Sequence, residues 1–260
     1  MKTIAIVGVG LIGGSFALAL RKAGFQGKII GVSSPATIEK ALALGVIDQS
    51  MTLPDAARAA DLVYLSQPIS QIIETLGVLD TDALVTDAGS TKAVICEAAR
   101  KLKRGRFVGG HPMAGKESRG VEHADADLFG GRPYVLTARE PQLETWIERF
   151  GARLVILDPV EHDRQVAFVS HLPQLLSTTL ASVLAGKGQV AGPAAADLTR
   201  LALSPYDIWR DIFATNAEPI DAALGAFIAR LEEVRTRLRG SELEALFSQA
   251  AASARALRSK

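Results

Sequence analysis

The sequence predicts an α/β amino-terminal half followed by an all-α carboxyl-terminal half. Three observations predict it. Short apolar runs alternate with helical runs up to residue 158. A glycine string, Gly8-Val9-Gly10-Leu11-Ile12-Gly13, stands between the first such run and the first helix. The strand signal then stops at Asp158-Pro159. Strands that are apolar throughout and separated by helices suit a parallel sheet covered on both faces.

In order, residues 4–7 read as a strand and 13–23 as a helix. Residues 28–32 are the second strand, followed by a helix over 37–44. Residues 62–66 form the third strand, with Asp61 before it and Pro68 after it. Residues 84–87 are the fourth, and a helix follows over 91–102. Strands at 106–109, 134–137 and 153–157 complete the sheet. Beyond Pro159, residues 160–184 have apolar side chains at helical spacing. A glycine-rich link at 186–192 separates them from helices at 194–203, 206–215, 219–238 and 241–257. Pro219 suits a first turn, and Gly240-Ser241 reads as a stop followed by a cap. The stripes Leu224-Phe227-Ile228-Leu231 and Leu243-Leu246-Phe247 fit helix packing, within the chain or against a second copy. The domain boundary is placed between residues 158 and 159.

Composition narrows the function classes. The 260 residues are 48% apolar, enough for a substantial core, and the formal net charge is +1. Without a run of like charge, nothing favours a nucleic-acid partner. No uninterrupted apolar run of about 18 residues occurs, so a membrane span is not expected. The first residues read as a buried strand rather than a signal peptide, and a cytoplasmic location is expected by default. Cys96 is the single cysteine, so no internal disulfide or zinc-type spacing exists and no metal site is expected. Cys96 itself reads as a small buried hydrophobe.

The glycine string matches G-x-G-x-x-G in the context that gives it meaning, after an apolar strand and opening a helix. Gly8 permits the tight turn, Gly10 lets a pyrophosphate approach the backbone, and Gly13 lets the helix pack on the sheet. The helix N-terminus then offers free N–H groups to the phosphates. A Rossmann dinucleotide-binding domain follows. An acid at the end of the second strand would bond the adenine ribose, but here the chain reads Gly31-Val32-Ser33-Ser34. Ser33 can bond a ribose hydroxyl without repelling a 2′-phosphate, so NAD or NADP is allowed. Ser33-Ser34-Pro35 also fits an ordinary turn and helix cap. Leu11 and Ile12 in the loop, Ser34 after the second strand, Ser66 at the end of the third strand, Pro68 beyond it, and Lys92 are the other expected cofactor contacts.

Two polar loops lie at strand carboxyl ends, where ligands bind in open α/β sheets: residues 86–92 and 109–117. His111, flanked by glycines and a proline, is a candidate base for a hydroxyl proton, or a turn histidine of no consequence. Ser90 is a second candidate, or a helix cap.

These segments resemble one family. Gly8 to Ser15, Thr86-Asp87-Ala88-Gly89-Ser90-Thr91-Lys92 and Gly110-His111-Pro112-Met113-Ala114-Gly115 look like the prephenate/arogenate dehydrogenases of tyrosine biosynthesis. So do Glu161-His162-Asp163, Ser170-His171-Leu172-Pro173, Asp197-Leu198-Thr199-Arg200 and Ile208-Trp209-Arg210-Asp211 further on. The resemblance implies NAD(P)-dependent oxidative decarboxylation of prephenate to 4-hydroxyphenylpyruvate, of arogenate to tyrosine, or of both. It implies that His111 takes the ring hydroxyl proton and that Ser90 bonds near the same hydroxyl and orients His111. Arg200 would bind a substrate carboxylate, with His171 and Trp209 lining the pocket and Glu117 a gating acid. A homodimer through the carboxyl-terminal helices is expected from their Ala- and Leu-rich composition. Two positions depart from the pattern. Gln174 stands where many members have a second histidine, which leaves the choice of substrate open; it remains a candidate contact to the substrate side chain. Lys116 stands where a small residue is usual, and either attracts a carboxylate or is solvated. Two other readings are another two-domain dehydrogenase of the β-hydroxyacid type and a non-catalytic NAD(P)-sensing protein. The second would need the glycine loop but not the histidine and arginine.

Overall fold

The structure is a computed structural model that describes residues 1–116, 118–239 and 243–258. Its amino-terminal half runs β1 (Thr3–Val7), α1 (Leu11–Lys22), β2 (Lys28–Val32), α2 (Pro35–Ala43), β3 (Gln49–Ser50), α3 (Leu53–Ala59), β4 (Leu62–Leu65), α4 (Ile69–Val78), β5 (Leu84–Asp87), α5 (Ala93–Ala99) and β6 (Arg106–Val108). These strands form one parallel sheet of order β3-β2-β1-β4-β5-β6. That is the order of the doubly wound dinucleotide-binding fold. The chain moves outward from β1 to β3 and then returns to place β4 beside β1. The crevice at this reversal is where such sheets bind ligands.

β1 is apolar on both faces because both faces are covered. Ile4 and Ile6 join a cluster with Phe16, Leu20 and Tyr64, whereas Ala5 and Val7 join one with Val63, Leu65 and Ile72. Burial of each large side chain is worth about 1.5–3 kcal/mol, which anchors the strand between the two layers.

One part of the sequence-based expectation is corrected. The strand expected over 106–109 is two strands. β6 ends at Val108, and β7 (Gly110–Pro112) begins a second sheet with β8 (Pro133–Leu136) and β9 (Arg153–Ile156). β7 pairs antiparallel with β8, and β8 pairs parallel with β9. Gly109 and Gly110 make the switch possible. A Cβ on Gly110 would lie 2.5 Å from the Asp87 carbonyl oxygen, and one on Gly109 would lie 2.9 Å from Thr137. α6 (Pro141–Arg149) joins β8 to β9 and, like α3 and α4, is additional to the helices read from the sequence.

The carboxyl-terminal half is helical: α7 (Pro159–Val166), a π turn (Ala167–His171), α8 (Leu172–Val183), α9 (Pro193–Thr199), a 3-10 turn (Arg200–Leu203), α10 (Tyr206–Thr215), α11 (Ala217–Arg237) and α12 (Leu243–Arg258). Gly240-Ser241, read as stop and cap, lies outside the described residues. α7, the π turn and α8 form one helix of 25 residues, long and apolar enough by length and composition to cross a membrane. Its inward side chains nevertheless include His162, Asp163, His171, Gln174 and Ser177, all buried within the protein. In a regular α-helix, nine residues make about two and a half turns, so His162 and His171 would face opposite ways. The wider π turn between them changes that phase. The helical half docks on the first through α10, where the Asp211 carboxylate accepts from the Ser70 N–H at 2.9 Å and Ile212 joins the cluster around Val63.

Candidate active site

The glycine loop closes on itself around the end of β1. Gly8 has φ +94°, and a Cβ there would lie 2.9 Å from the Gln67 nitrogen and the Ser66 carbonyl. A Cβ on Gly13 would collide with the Gly8 carbonyl and with Ile6. Gly10 faces open space, the opposite case: no atom lies within 4 Å of the position its Cβ would take. The Ser66 hydroxyl donates to the Gly8 carbonyl at 2.8 Å and so braces the loop. Gly8, Gly10, Ser33, Ser66 and Pro68 line a cleft of about 350 Å³ with Lys40. Leu11 and Ile12, half-buried, begin α1, which has no acidic residue in its first turn. An open glycine backbone at a helix N-terminus fits a dinucleotide pyrophosphate.

Two expected cofactor residues have other work. Ser34 caps α2, its Oγ accepting from the Thr37 N–H at 3.4 Å, so Ser33 alone of the pair lines the cleft. Lys92 is fully buried. Its ammonium donates to the Asp87 carboxylate and, at 2.7 Å, to the Gly110 carbonyl. Asp87, at the end of β5, also accepts from the Gly89 N–H at 2.8 Å and the Gly110 N–H at 3.0 Å. This buried pair ties the serine loop to the histidine strand. The geometry makes Lys92 a brace between loops, not a cofactor contact.

His111 sits on β7 opposite Val135, in a strand rather than the fixed, accessible turn expected. It is 8% exposed. Its Nδ1 lies 2.9 Å from His162 Nε2, and His162 Nδ1 lies 2.7 Å from Asp163 Oδ1. The same Asp163 carboxylate accepts from the Lys92 N–H at 2.7 Å and the Ala93 N–H at 2.8 Å. It therefore caps α5, the role that the alternative reading gave Ser90.

The proton order along this chain follows from the donor inventory. A carboxylate only accepts, so His162 carries a proton on Nδ1 and, when neutral, accepts at Nε2. His111 must then carry its proton on Nδ1, which leaves a lone pair on Nε2. Burial, reinforced by the nearby Lys92 ammonium, holds His111 well below the ordinary histidine pKa of 6.5. The imidazole is thus neutral and poised to accept a proton.

A second cluster lies on the helical half. His171 Nδ1 is 3.1 Å from the Asn216 amide nitrogen, which also donates to the Asp163 carbonyl at 2.9 Å. His171 consequently carries its proton on Nε2. Burial pushes its pKa down to about 4, so it is neutral as well. The Trp209 ring stands edge-on to His171 with centroids 6.0 Å apart, and Trp209 Nε1 donates to Ser204 Oγ at 2.9 Å. Arg200 is exposed and opens the 3-10 turn. That turn is tied to α8, with Gln174 donating to the Leu201 carbonyl at 2.8 Å and Ser177 Oγ accepting from the Ala202 N–H at 3.1 Å. Gln174 thus positions the arginine turn, where a substrate contact was expected of it.

The remaining candidates divide. Ser90 is half-buried in the loop before α5, and His162 holds the His111 nitrogen that Ser90 was expected to orient. Lys116 is exposed and pairs with Asp125 at 2.8 Å. Glu117 lies outside the described residues. Burial pushes the Cys96 thiol up to about 11, which keeps it protonated and inert. His162, Asp163 and Asn216 were not singled out from the sequence for this network. The adjacent His162-Asp163 pair in the first turn after Pro159 was the available signal.

Comparison with known proteins decides the family. The model described as "Prephenate dehydrogenase, nucleotide-binding domain" matches residues 16–155, and "Prephenate dehydrogenase, dimerization domain" matches residues 158–251. The chain belongs to the prephenate dehydrogenase family. Two curated members illustrate the likeness. The prephenate dehydrogenase of Lactococcus lactis subsp. cremoris is 35% identical, over 95% of this chain and 74% of the relative. The cyclohexadienyl dehydrogenase of Zymomonas mobilis is 30% identical, over 93% of this chain and 90% of the relative. Among solved structures, Aquifex aeolicus prephenate dehydrogenase in complex with hydroxyphenyl propionate and NAD+ superposes with a TM-score of 0.86 at 33% identity. That match covers 99% of this chain and 98% of the other. As a member of the prephenate dehydrogenase family, this chain is a dehydrogenase, an oxidoreductase built on a nucleotide-binding domain.

Proposed function

We propose that this chain oxidatively decarboxylates prephenate, arogenate or both, with NAD or NADP as the hydride acceptor. The observation that carries the reading is the Asp163–His162–His111 chain, which leaves an unprotonated Nε2 on a buried neutral imidazole. Such a nitrogen is the group needed to take a hydroxyl proton while the adjacent carbon loses hydride. When bound in the Gly8–Gly13 cleft, the dinucleotide supplies the nicotinamide that accepts that hydride.

The protein's own part is a proton cycle. His111 Nε2 takes the proton of the ring hydroxyl as the carbon–hydrogen bond breaks, and the ring carbon becomes a carbonyl. The ring carboxylate then leaves as carbon dioxide, and its bonding pair enters the ring. The aromatic ring oxygen recovers the proton from His111, so the imidazole ends neutral. His162 steadies the transient imidazolium through the hydrogen bond at Nδ1, with the Asp163 carboxylate behind it. Ser90 contributes a hydroxyl contact to the same oxygen. Trp209 and His171 supply the wall of the substrate pocket, with the His171 Nε2–H as donor. Glu117 acts as a gating acid in this reading. The first test is spectrophotometric. Protein mixed with prephenate or arogenate and NAD or NADP should form reduced nicotinamide; no signal in any of the four pairs would overturn the reading.

Arg200 holds a substrate carboxylate through two parallel N–H···O bonds. Arg200→Gln is expected to raise the KM about tenfold or more with kcat largely retained, which initial-rate kinetics would reveal. A normal KM would make Arg200 structural.

We infer a homodimer through the carboxyl-terminal helices. Leu203, Ile228, Leu231, Phe247 and Leu257 are exposed on this half, an apolar surface of the kind that subunit contacts cover. Functional division at residues 158 and 159 and a cytoplasmic location, where both reactants are freely diffusing small molecules, go with the same reading.

A further inference from the structure

The adenosine end of the cleft holds an ion pair that the reaction chemistry does not use. Lys40, on α2, extends its ammonium to Glu122 Oε1 at 3.1 Å. Glu122 belongs to a 3-10 turn (Val121–His123) that follows Gly120. Lys40, Glu122, Ser33 and Thr37 all line the same cleft as Gly8 and Gly10. Both partners are partly exposed, with 58% and 43% of their side-chain surface accessible.

The placement of charge here differs from the usual one. In most NAD sites, an acid at the end of the second strand binds the ribose and repels a phosphate on its 2′ oxygen. In this chain that place is Ser33, and the carboxylate at the ribose end comes from another element, Glu122. It reaches the cleft as half of an ion pair. A partly exposed carboxylate–ammonium pair is weak and exchangeable. A phosphate monoester carries more charge and more acceptor oxygens than a carboxylate, so it competes well for one ammonium. The Ser33 hydroxyl, with no charge of its own, does not oppose it.

We propose that Lys40 is the anchor for a phosphate on the adenosine 2′ oxygen, and that Glu122 is its built-in competitor. The pair then sets the balance between the phosphorylated and unphosphorylated dinucleotide. This inference rests on the reading of the cleft as a dinucleotide site.

Calorimetric titration with adenosine 2′,5′-bisphosphate and with AMP separates the two claims. The quantity of interest is the ratio of their affinities. Glu122→Gln is expected to shift that ratio about fivefold toward the bisphosphate, and Lys40→Met about fivefold toward AMP. In the doubly substituted protein the gain from Glu122→Gln should shrink to about twofold or less. Added salt should compress every difference. AMP binding in each variant reports that the cleft is folded. Equal ratios in all four proteins, with AMP still bound, would overturn the role of the pair alone. Failure of the unsubstituted protein to bind either nucleotide would overturn the dinucleotide reading and this inference with it.

Discussion

His111→Asn lowers kcat by about two orders of magnitude or more, while substrate still binds with a KM within a few-fold of the original. Asparagine keeps a polar group on β7 but has no basic nitrogen. The His111 pKa lies well below 6.5, chiefly because burial disfavours the charged ring. The base is therefore competent at neutral pH and is lost only as pH falls through that lowered value. In the unsubstituted enzyme the acid limb of kcat/KM should lie below pH 6.5, with activity rising as pH increases through it. The limb should vanish from the residual activity of His111→Asn. Unchanged turnover would remove His111 from the proton cycle.

Asp163→Asn is expected to lower kcat about a hundredfold or more with a modest change in KM, although Asp163 has no place in the substrate pocket proposed above. The carboxylate only accepts, and that property fixes the order of protons along His162 and His111. An amide in its place can donate to His162 Nδ1. His162 would then carry its proton on Nε2 and donate to His111 Nδ1. His111 would in turn carry a proton on Nε2, the atom that must be free. The substitution also removes one acceptor from the α5 cap, where the Lys92 and Ala93 N–H groups bind. Loss of charge-assisted bonds at so buried a site costs about 1.5–3 kcal/mol, seen as a lower thermal midpoint. A merely structural role would lower the midpoint and leave kcat and the acid limb in place.

The parts of the fold that depend on local pattern were legible in the sequence. β2 and β5 have the bounds their apolar runs indicate, and the glycine loop lies where its spacing places it. What failed was local reasoning where a distant group prevails. Ser90 obeys the rule for a helix cap, yet Asp163 caps α5 from a helix in the other half of the chain. Lys92 is a cation in a polar loop, yet Asp87 and Gly110 take its ammonium in a buried pair. β7 is a three-residue strand beginning at a glycine, too short for periodicity to separate it from β6. His111 was legible as a base from its setting. The partner that makes it one, His162, is 51 residues further on, and the fold alone brings it near.

Long-range proton–nitrogen correlation spectra of protein labelled with nitrogen-15 at histidine read the central claim atom by atom. At neutral pH, His111 should show a protonated, pyrrole-type Nδ1 and a bare, pyridine-type Nε2, and His162 should show the same pattern. Asp163→Asn should exchange the two nitrogen types in both rings. A His111 ring that is bare at Nδ1, or protonated at both nitrogens, would contradict the account.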